Sequence, residues 1–209
     1  MLEHYTTLFW DFDGVIKESV AVKSDVFERL FAPFGAKLAA KVRLHHELNG
    51  GMSRYQKLPT YLRWAGLDAS EAEVSRYCDL FAAAARQAVI DSPWVPGARE
   101  YLQRNHARQY FVLVTATPQA EIEYILAALD LASCFREVHG APMSKRDVIA
   151  SVLTEQKCTP AVALVIGDSD SDYAAAQAMG VEFLLRRTAL NRNLQRQHLG
   201  LQCEDFMHE

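Results

Sequence analysis

Short apolar runs, each ending in a polar residue or glycine and followed by a helical pattern, constrain this chain more than any other feature. They predict strands at Thr6–Asp11, Tyr110–Thr115, Ala161–Gly167 and Val181–Arg186. Helical patterns lie between them at Gly97–His106, Pro118–Leu129, Ser144–Glu155 and Asp170–Met179. Ser144 stands three residues before Asp147, a capping signature for the third of these. Strands that alternate with helices build an open α/β core, a Rossmann-like, doubly wound parallel sheet.

One stretch breaks the alternation. From Lys17 to about Pro93 no strand pattern is present, and the apolar spacing reads as helices at Val20–Phe31, Ala36–Asn49, Ser53–Trp64 and Ser70–Ile90. A crossover needs little more than a dozen residues, so this segment is long enough to fold as a helical subdomain. "APFG", "NGG" and "DSPWVPG" supply its breaks. The expected organisation is a discontinuous core, residues 1–16 and 93–209, with a helical cap at residues 17–92.

The chain has 209 residues and a formal net charge of -4, without a basic tract. That balance argues against nucleic acid as a main partner. The apolar runs are too short to span a membrane, and the N-terminus has no signal-peptide pattern, so a cytoplasmic location is expected. Cys78, Cys134, Cys158 and Cys203 match no zinc or redox spacing and read as idle thiols. Oligomeric state is not legible.

Four segments lead into candidate catalytic groups. "TLFW" runs into Asp11 and Asp13, "YFVLV" into Thr115, and "ALVIG" into Asp168 with Asp170 and Asp172 beyond; Lys145 opens the helix after "FREVHGAPMS". Ligands of open α/β sheets bind outside the carboxyl ends of the strands. Asp11 and Asp13 are two apart in extended chain and point the same way, and Gly14 allows a sharp departure. An isolated Asp-x-Asp-Gly is usually a solvated turn. After an apolar strand, with a second acidic cluster beyond a later strand, it reads as a carboxylate site that calls for a divalent cation such as Mg²⁺. Asp168 is the natural third contributor. Asp172 sits one helical turn on and can face the site, although an acidic residue there also suits a helix N-terminus; that second role is the reading for Asp170. Thr115 and the backbone N–H of Ala116, near the start of the next helix, could bind an anion. A strand-end Thr is commonplace and most lysines are solvated, so Thr115 and Lys145 count through their position beside the carboxylates.

With these residues the chain resembles the haloacid dehalogenase superfamily, in its phosphatase branch. "DFDGV", "VLVTATP", Lys145 in "GAPMSKRDVI" and "VIGDSDSD" stand in the order of the four family motifs, and the helical insertion resembles the C1 cap subclass. The resemblance implies that Asp11 is the nucleophile and forms an aspartyl-phosphate, and that Asp13 is the acid and base. It implies Mg²⁺ held by the Asp11 carboxylate, the Asp13 backbone carbonyl and Asp168, with Asp172 behind them. Thr115, Ala116 and Lys145 would bind the phosphoryl group. Dehalogenase relatives lack the second aspartate, so Asp13 favours phosphate chemistry. Arg146 departs from the proline that many relatives carry after the motif lysine.

"NGGMSRYQK" is the informative segment of the insertion. It resembles the specificity loop of β-phosphoglucomutase-like and phosphoglycolate-phosphatase-like caps, which implies that Arg54 contacts substrate; a solvated arginine is the competing reading. Lys23 and Glu18 are weaker candidates for the cleft between cap and core, and His45 and His46 read as surface or packing residues. The resemblance implies a Mg²⁺-dependent phosphatase acting on a small phosphorylated metabolite, of sugar phosphate or phosphoglycolate type. A phosphomutase is the alternative, and a non-catalytic binding protein a third reading.

Overall fold

A computed structural model describes residues 2–209. Its strands are β1 (Thr7–Trp10), β2 (Tyr110–Pro118), β3 (Glu137–Ala141), β4 (Ala163–Gly167), β5 (Glu182–Arg186) and β6 (Leu201–Cys203). They form one sheet in the order β3–β2–β1–β4–β5–β6, with every pairing parallel. The first strand is therefore central, flanked by β2 and β4, with Trp10 opposite both Leu113 and Ile166.

The period-2 geometry of β1 splits its side chains between two cores. Leu8 and Trp10 join the layer built with Tyr101, Ile122, Ile125 and Leu126 of α5 (Ala98–Asn105) and α6 (Gln119–Ala128). Phe9 points the other way, into the layer with Val148, Ile149, Val152 and Ala176 of α7 (Lys145–Glu155) and α8 (Asp170–Met179). All four residues of β1 are buried, so the strand needs to be apolar on both faces.

The strandless stretch between β1 and β2 forms α1 (Val20–Phe31), α2 (Ala36–Leu48), α3 (Arg54–Trp64) and α4 (Glu71–Asp91). These helices have their own core, in which Phe27, Phe31, Tyr61 and Phe81 meet. The chain re-enters the sheet layer at Gly97, whose φ of +78° and close approach to the backbone of Phe206 leave no room for a Cβ.

Two strands lie outside the four expected ones. β3 is a half-exposed strand, "EVHGA", at one edge of the sheet, and its mixture of charge, histidine and glycine conceals the apolar signal. β6 is three residues long and completes the other edge. The polar C-terminal segment thus closes the sheet, carries the short α9 (Arg192–Gln197), and sends Phe206 against Trp10 at a ring distance of 5.2 Å.

Candidate active site

The strands β1, β2 and β4 are adjacent and in register, and they bring Asp11, just past β1, Thr115, inside β2, and Asp168, just past β4, to the same edge of the sheet. Asp11 is buried; its Oδ1 accepts from the Phe12 N–H at 2.8 Å and its Oδ2 lies 2.9 Å from Lys145 Nζ. Lys145 is held at the first position of α7 by Ser144, whose Oγ accepts from the Asp147 N–H as the capping signature predicts. The Lys145 ammonium also donates to Asp172 Oδ1 at 2.6 Å. Asp172 caps its own helix at the same time: its Oδ2 accepts from the Ser169 N–H at 3.2 Å and from Ser169 Oγ at 2.5 Å. Asp172 thus caps its own helix and contacts Lys145 with its other oxygen.

Asp13 projects into a different environment. Its Oδ1 accepts from Ser19 Oγ at 2.5 Å, and its Oδ2 from Lys23 Nζ at 2.5 Å and Thr117 Oγ1 at 3.2 Å. Gly14 has φ +74°, and a Cβ there would lie 2.2 Å from Asp168 Oδ2. The glycine is required both by the left-handed turn and by the approach of the third carboxylate.

The two aspartates titrate apart. Burial, opposed by Lys145 and reinforced by Asp172 and Asp13, pushes the Asp11 carboxyl up to about 7. Burial also favours the neutral form of Asp13, but Lys23, Ser19 and Thr117 outweigh it and hold that carboxyl below its ordinary value. Asp168 is driven well up, first by burial and then by Asp11 and Asp172. Carboxylate oxygens of Asp11, Asp168 and Asp172 lie within 4.8 Å of one another. One lysine shared by two of three crowded carboxylates leaves negative charge uncompensated. An all-oxygen donor set of this kind fits a hard divalent cation. Asp11, Asp168 and Asp172 are the carboxylates close enough to one another to share such an ion.

Several expectations change in detail. Ala116 is not at a helix N-terminus: β2 runs on to Pro118 and α6 begins at Gln119. Proline disfavours helical backbone at the residue before it, which displaces the helix start past Thr117. Ala116 nevertheless lines the cleft, and Thr115 Oγ1 accepts from the Thr117 N–H at 3.2 Å. Arg54 is not a solvated residue. Its guanidinium is buried, donates to Glu121 Oε1 of α6 at 2.6 Å and lies 4.4 Å from the Phe81 ring. His46 is buried rather than at the surface, and its Nδ1 meets Lys57 Nζ at 2.9 Å. Glu18 pairs with Arg186. Lys23, named only as a weaker candidate, is a direct partner of Asp13. Thr117, Glu121, Lys57 and Asn191 were not predicted to be near the site. Asn191 donates from Nδ2 to the Asp168 carbonyl at 2.8 Å, across 23 residues that local patterning cannot connect.

Two cavities meet at these residues. A cleft of about 810 Å³ opens between the loop at residues 49–53 and the core loops that carry Thr115, Lys145 and Asp168. A small cavity of about 40 Å³ lies on the Asp13 side, lined by Lys23, His46, Arg54, Lys57 and Thr117 among others. Gly51 packs so tightly on the start of α8 that a Cβ would lie 1.7 Å from Ser171 Oγ.

Comparisons with known proteins give the family and the fold. A phosphoglycolate phosphatase of Pseudomonas fluorescens is 27% identical over 183 residues, covering 84% of this chain and 66% of its own length. The chain thus spans just under two thirds of that relative. Among solved structures, CbbY from Rhodobacter sphaeroides in complex with phosphate aligns with a TM-score of 0.77, 16% identity and coverage of 98% of this chain and 96% of that one. The β-phosphoglucomutase of Clostridium difficile aligns with a TM-score of 0.75 and 16% identity, covering 97% and 92%. At these identities the two structures speak to the fold. The family model of the haloacid dehalogenase-like hydrolases matches residues 8–185, and the chain belongs to that family.

Proposed function

We propose that this chain is a Mg²⁺-dependent phosphatase of a small phosphorylated metabolite, working through an aspartyl-phosphate on Asp11. The observation that carries this reading is the division of labour between two carboxylates delivered by one strand end. Asp11 faces Lys145 and the acidic cluster, whereas Asp13 faces the side where a leaving group would sit. The substrate type is supported by the phosphoglycolate phosphatase relatives.

Asp11 and Asp168, with the Asp13 carbonyl, would hold the cation, which when bound offsets carboxylate charge and polarises phosphoryl oxygens. An Asp11 carboxylate oxygen attacks phosphorus as the bond from phosphorus to the ester oxygen breaks. Asp13, whose carboxyl Lys23 holds below its ordinary value in the free site, takes up a proton from solvent as substrate and cation bind and gives it to the departing oxygen. It then takes a proton from the water that hydrolyses the aspartyl-phosphate, returning Asp11 and releasing phosphate. Lys145 neutralises charge beside Asp11, and Thr115 with the Ala116 N–H contacts phosphoryl oxygens. Asp172 positions Lys145. Residues 17–92 act as a cap over a core of residues 1–16 and 93–209, and Arg54 supports the cap side of the substrate site, held in place by Glu121. Cap closure excludes water during attack.

Phosphate release from p-nitrophenyl phosphate and from 2-phosphoglycolate, with and without Mg²⁺, tests the reading. Asp11→Asn is expected to lower kcat at least about 10³-fold while the fold is retained, since loss of a covalent nucleophile costs at least several kcal/mol of barrier. Metal-independent turnover, or an Asp11→Asn variant of normal rate, refutes it. Conversion of β-glucose 1-phosphate to glucose 6-phosphate without phosphate release points to a mutase instead.

A further inference from the structure

The small cavity beside Asp13 is lined by three cationic side chains that differ in how they are neutralised. Lys23 is paired with Asp13 and Arg54 with Glu121. Lys57, from α3, is buried and among the described residues has no carboxylate within ion-pair distance. Its partner is the neutral acceptor His46 Nδ1 on α2, at 2.9 Å. An ammonium has three donors, so two remain for something that enters the cavity.

Burying an amine without a counter-charge is costly, and the packing around this one maintains it. His46 is pinned by its ring contact with Phe27 at 4.8 Å, and His46 in turn orients Lys57. The cavity's volume of about 40 Å³ is roughly three times what one water needs, about the bulk of a carboxylate with one methylene. It lies on the side of Asp13, where the departing oxygen of the ester would be.

We infer that Lys57, oriented by His46, is the receptor for an anionic group on the leaving alcohol, and that it selects short phosphorylated hydroxy acids over neutral phosphate esters. This rests on the phosphatase reading above and adds to it a specificity-determining residue. Asp13 acts on Lys57 only from beyond ion-pair distance, and the incoming carboxylate supplies the close counter-charge, so Lys57 discriminates by what is missing when a neutral ester binds: its buried donors then stay unpaired.

The test compares kcat/KM for 2-phosphoglycolate with that for 2-hydroxyethyl phosphate, an uncharged ester of similar size, in wild type and Lys57→Met. Wild type is expected to prefer 2-phosphoglycolate by about 10- to 100-fold, the range of one hydrogen bond to a charged group. In Lys57→Met the ratio falls to within about threefold of unity as that bond is lost. A wild-type ratio near one, or a folded Lys57→Met variant that keeps the preference, overturns the inference. Circular dichroism checks folding, and if Lys57→Met does not fold, the wild-type ratio and Lys57→Gln decide. If neither ester is hydrolysed under any metal, the phosphatase reading has failed separately. Calorimetric titration with glycolate then judges the receptor alone: binding to wild type that is lost in Lys57→Met supports it, and no binding to wild type overturns it.

Discussion

At the residue scale, the most demanding position is Gly14. It must take a positive φ, and its Cα faces Asp168 with no room for a methyl group. Gly14→Ala is therefore expected to abolish turnover and to weaken metal binding at least about tenfold, because displacing a ligand by an ångström is costly to coordination. Metal titration followed by calorimetry checks this. Lys57 provides a second case. Burial, then the nearby Lys23, lower its amine to about 7, with Asp13 opposing; His46 and Arg54 are the other polar groups around it. The folded amine is less basic than the unfolded one, so the unfolded chain binds the extra proton. The resulting penalty is present below about 10 and fades as pH rises towards the unfolded value. Lys57→Met should raise stability near pH 7 by on the order of 2–4 kcal/mol, seen as a higher Tm that is less pH-dependent than that of wild type. Since the ammonium form binds an anion, KM for 2-phosphoglycolate should rise as pH climbs above about 7, while KM for 2-hydroxyethyl phosphate stays level.

At the scale of elements, two of the contacts between the helical insertion and the sheet layer make separate predictions. The ion pair between Arg54 of α3 and Glu121 of α6 has both side chains only 5% exposed. Removing one partner leaves a buried charge, so Glu121→Ala should cost about 3–5 kcal/mol by denaturant unfolding, much more than a surface pair. The second contact is the glycine loop against the start of α8. Gly51→Ala must push Ser171 aside, whereas at Gly50 the nearest atom to a Cβ is Ser169 Cβ at 3.8 Å. Gly51→Ala is expected to lower kcat/KM about tenfold, and Gly50→Ala to change it little, as a misplacement near one ångström suffices for such losses. Steady-state assays of the two variants side by side provide the comparison. The elements themselves were largely legible: the four helices of the insertion and the first, second, fourth and fifth strands follow from apolar periodicity. β3 was not, because an edge strand with one wet face can carry Glu137, His139 and Gly140 without an apolar run.

At the scale of the whole molecule, the central position of β1 explains why the site is where it is. Its neighbours on both sides are themselves followed by site loops, so three strand ends converge and the fourth contributor, Lys145, comes from the helix after the edge strand β3. Asp11 meets there three groups that all lie more than a hundred residues further along the chain, and the crowded carboxylates repel one another. Adding Mg²⁺ should relieve this repulsion and raise Tm by several degrees, at saturation about 2–4 kcal/mol of linkage. Because the ligands must be ionised, the increment should shrink as pH is lowered from 7 to 5. A thermal shift series in EDTA and in Mg²⁺ measures it. Among the described residues no helix is long and apolar enough to cross a membrane.

The sequence by itself determined the alternation of strands and helices, the long helical insertion and the identity of Asp11, Asp13, Lys145 and Asp168 as strand-end or helix-start groups. These are local properties, set by side-chain periodicity and by which residue follows an apolar run. Only the tertiary structure decided the partners: Lys23 on Asp13, Glu121 on Arg54, Asn191 on the Asp168 carbonyl, and Lys57 left without a carboxylate. The physical reason is that a charge's state depends on what lies within a few ångströms in space and on how much water remains there. Neither is encoded in spacing along the chain, so a lysine of the helical insertion becomes, once folded, a buried amine held against His46.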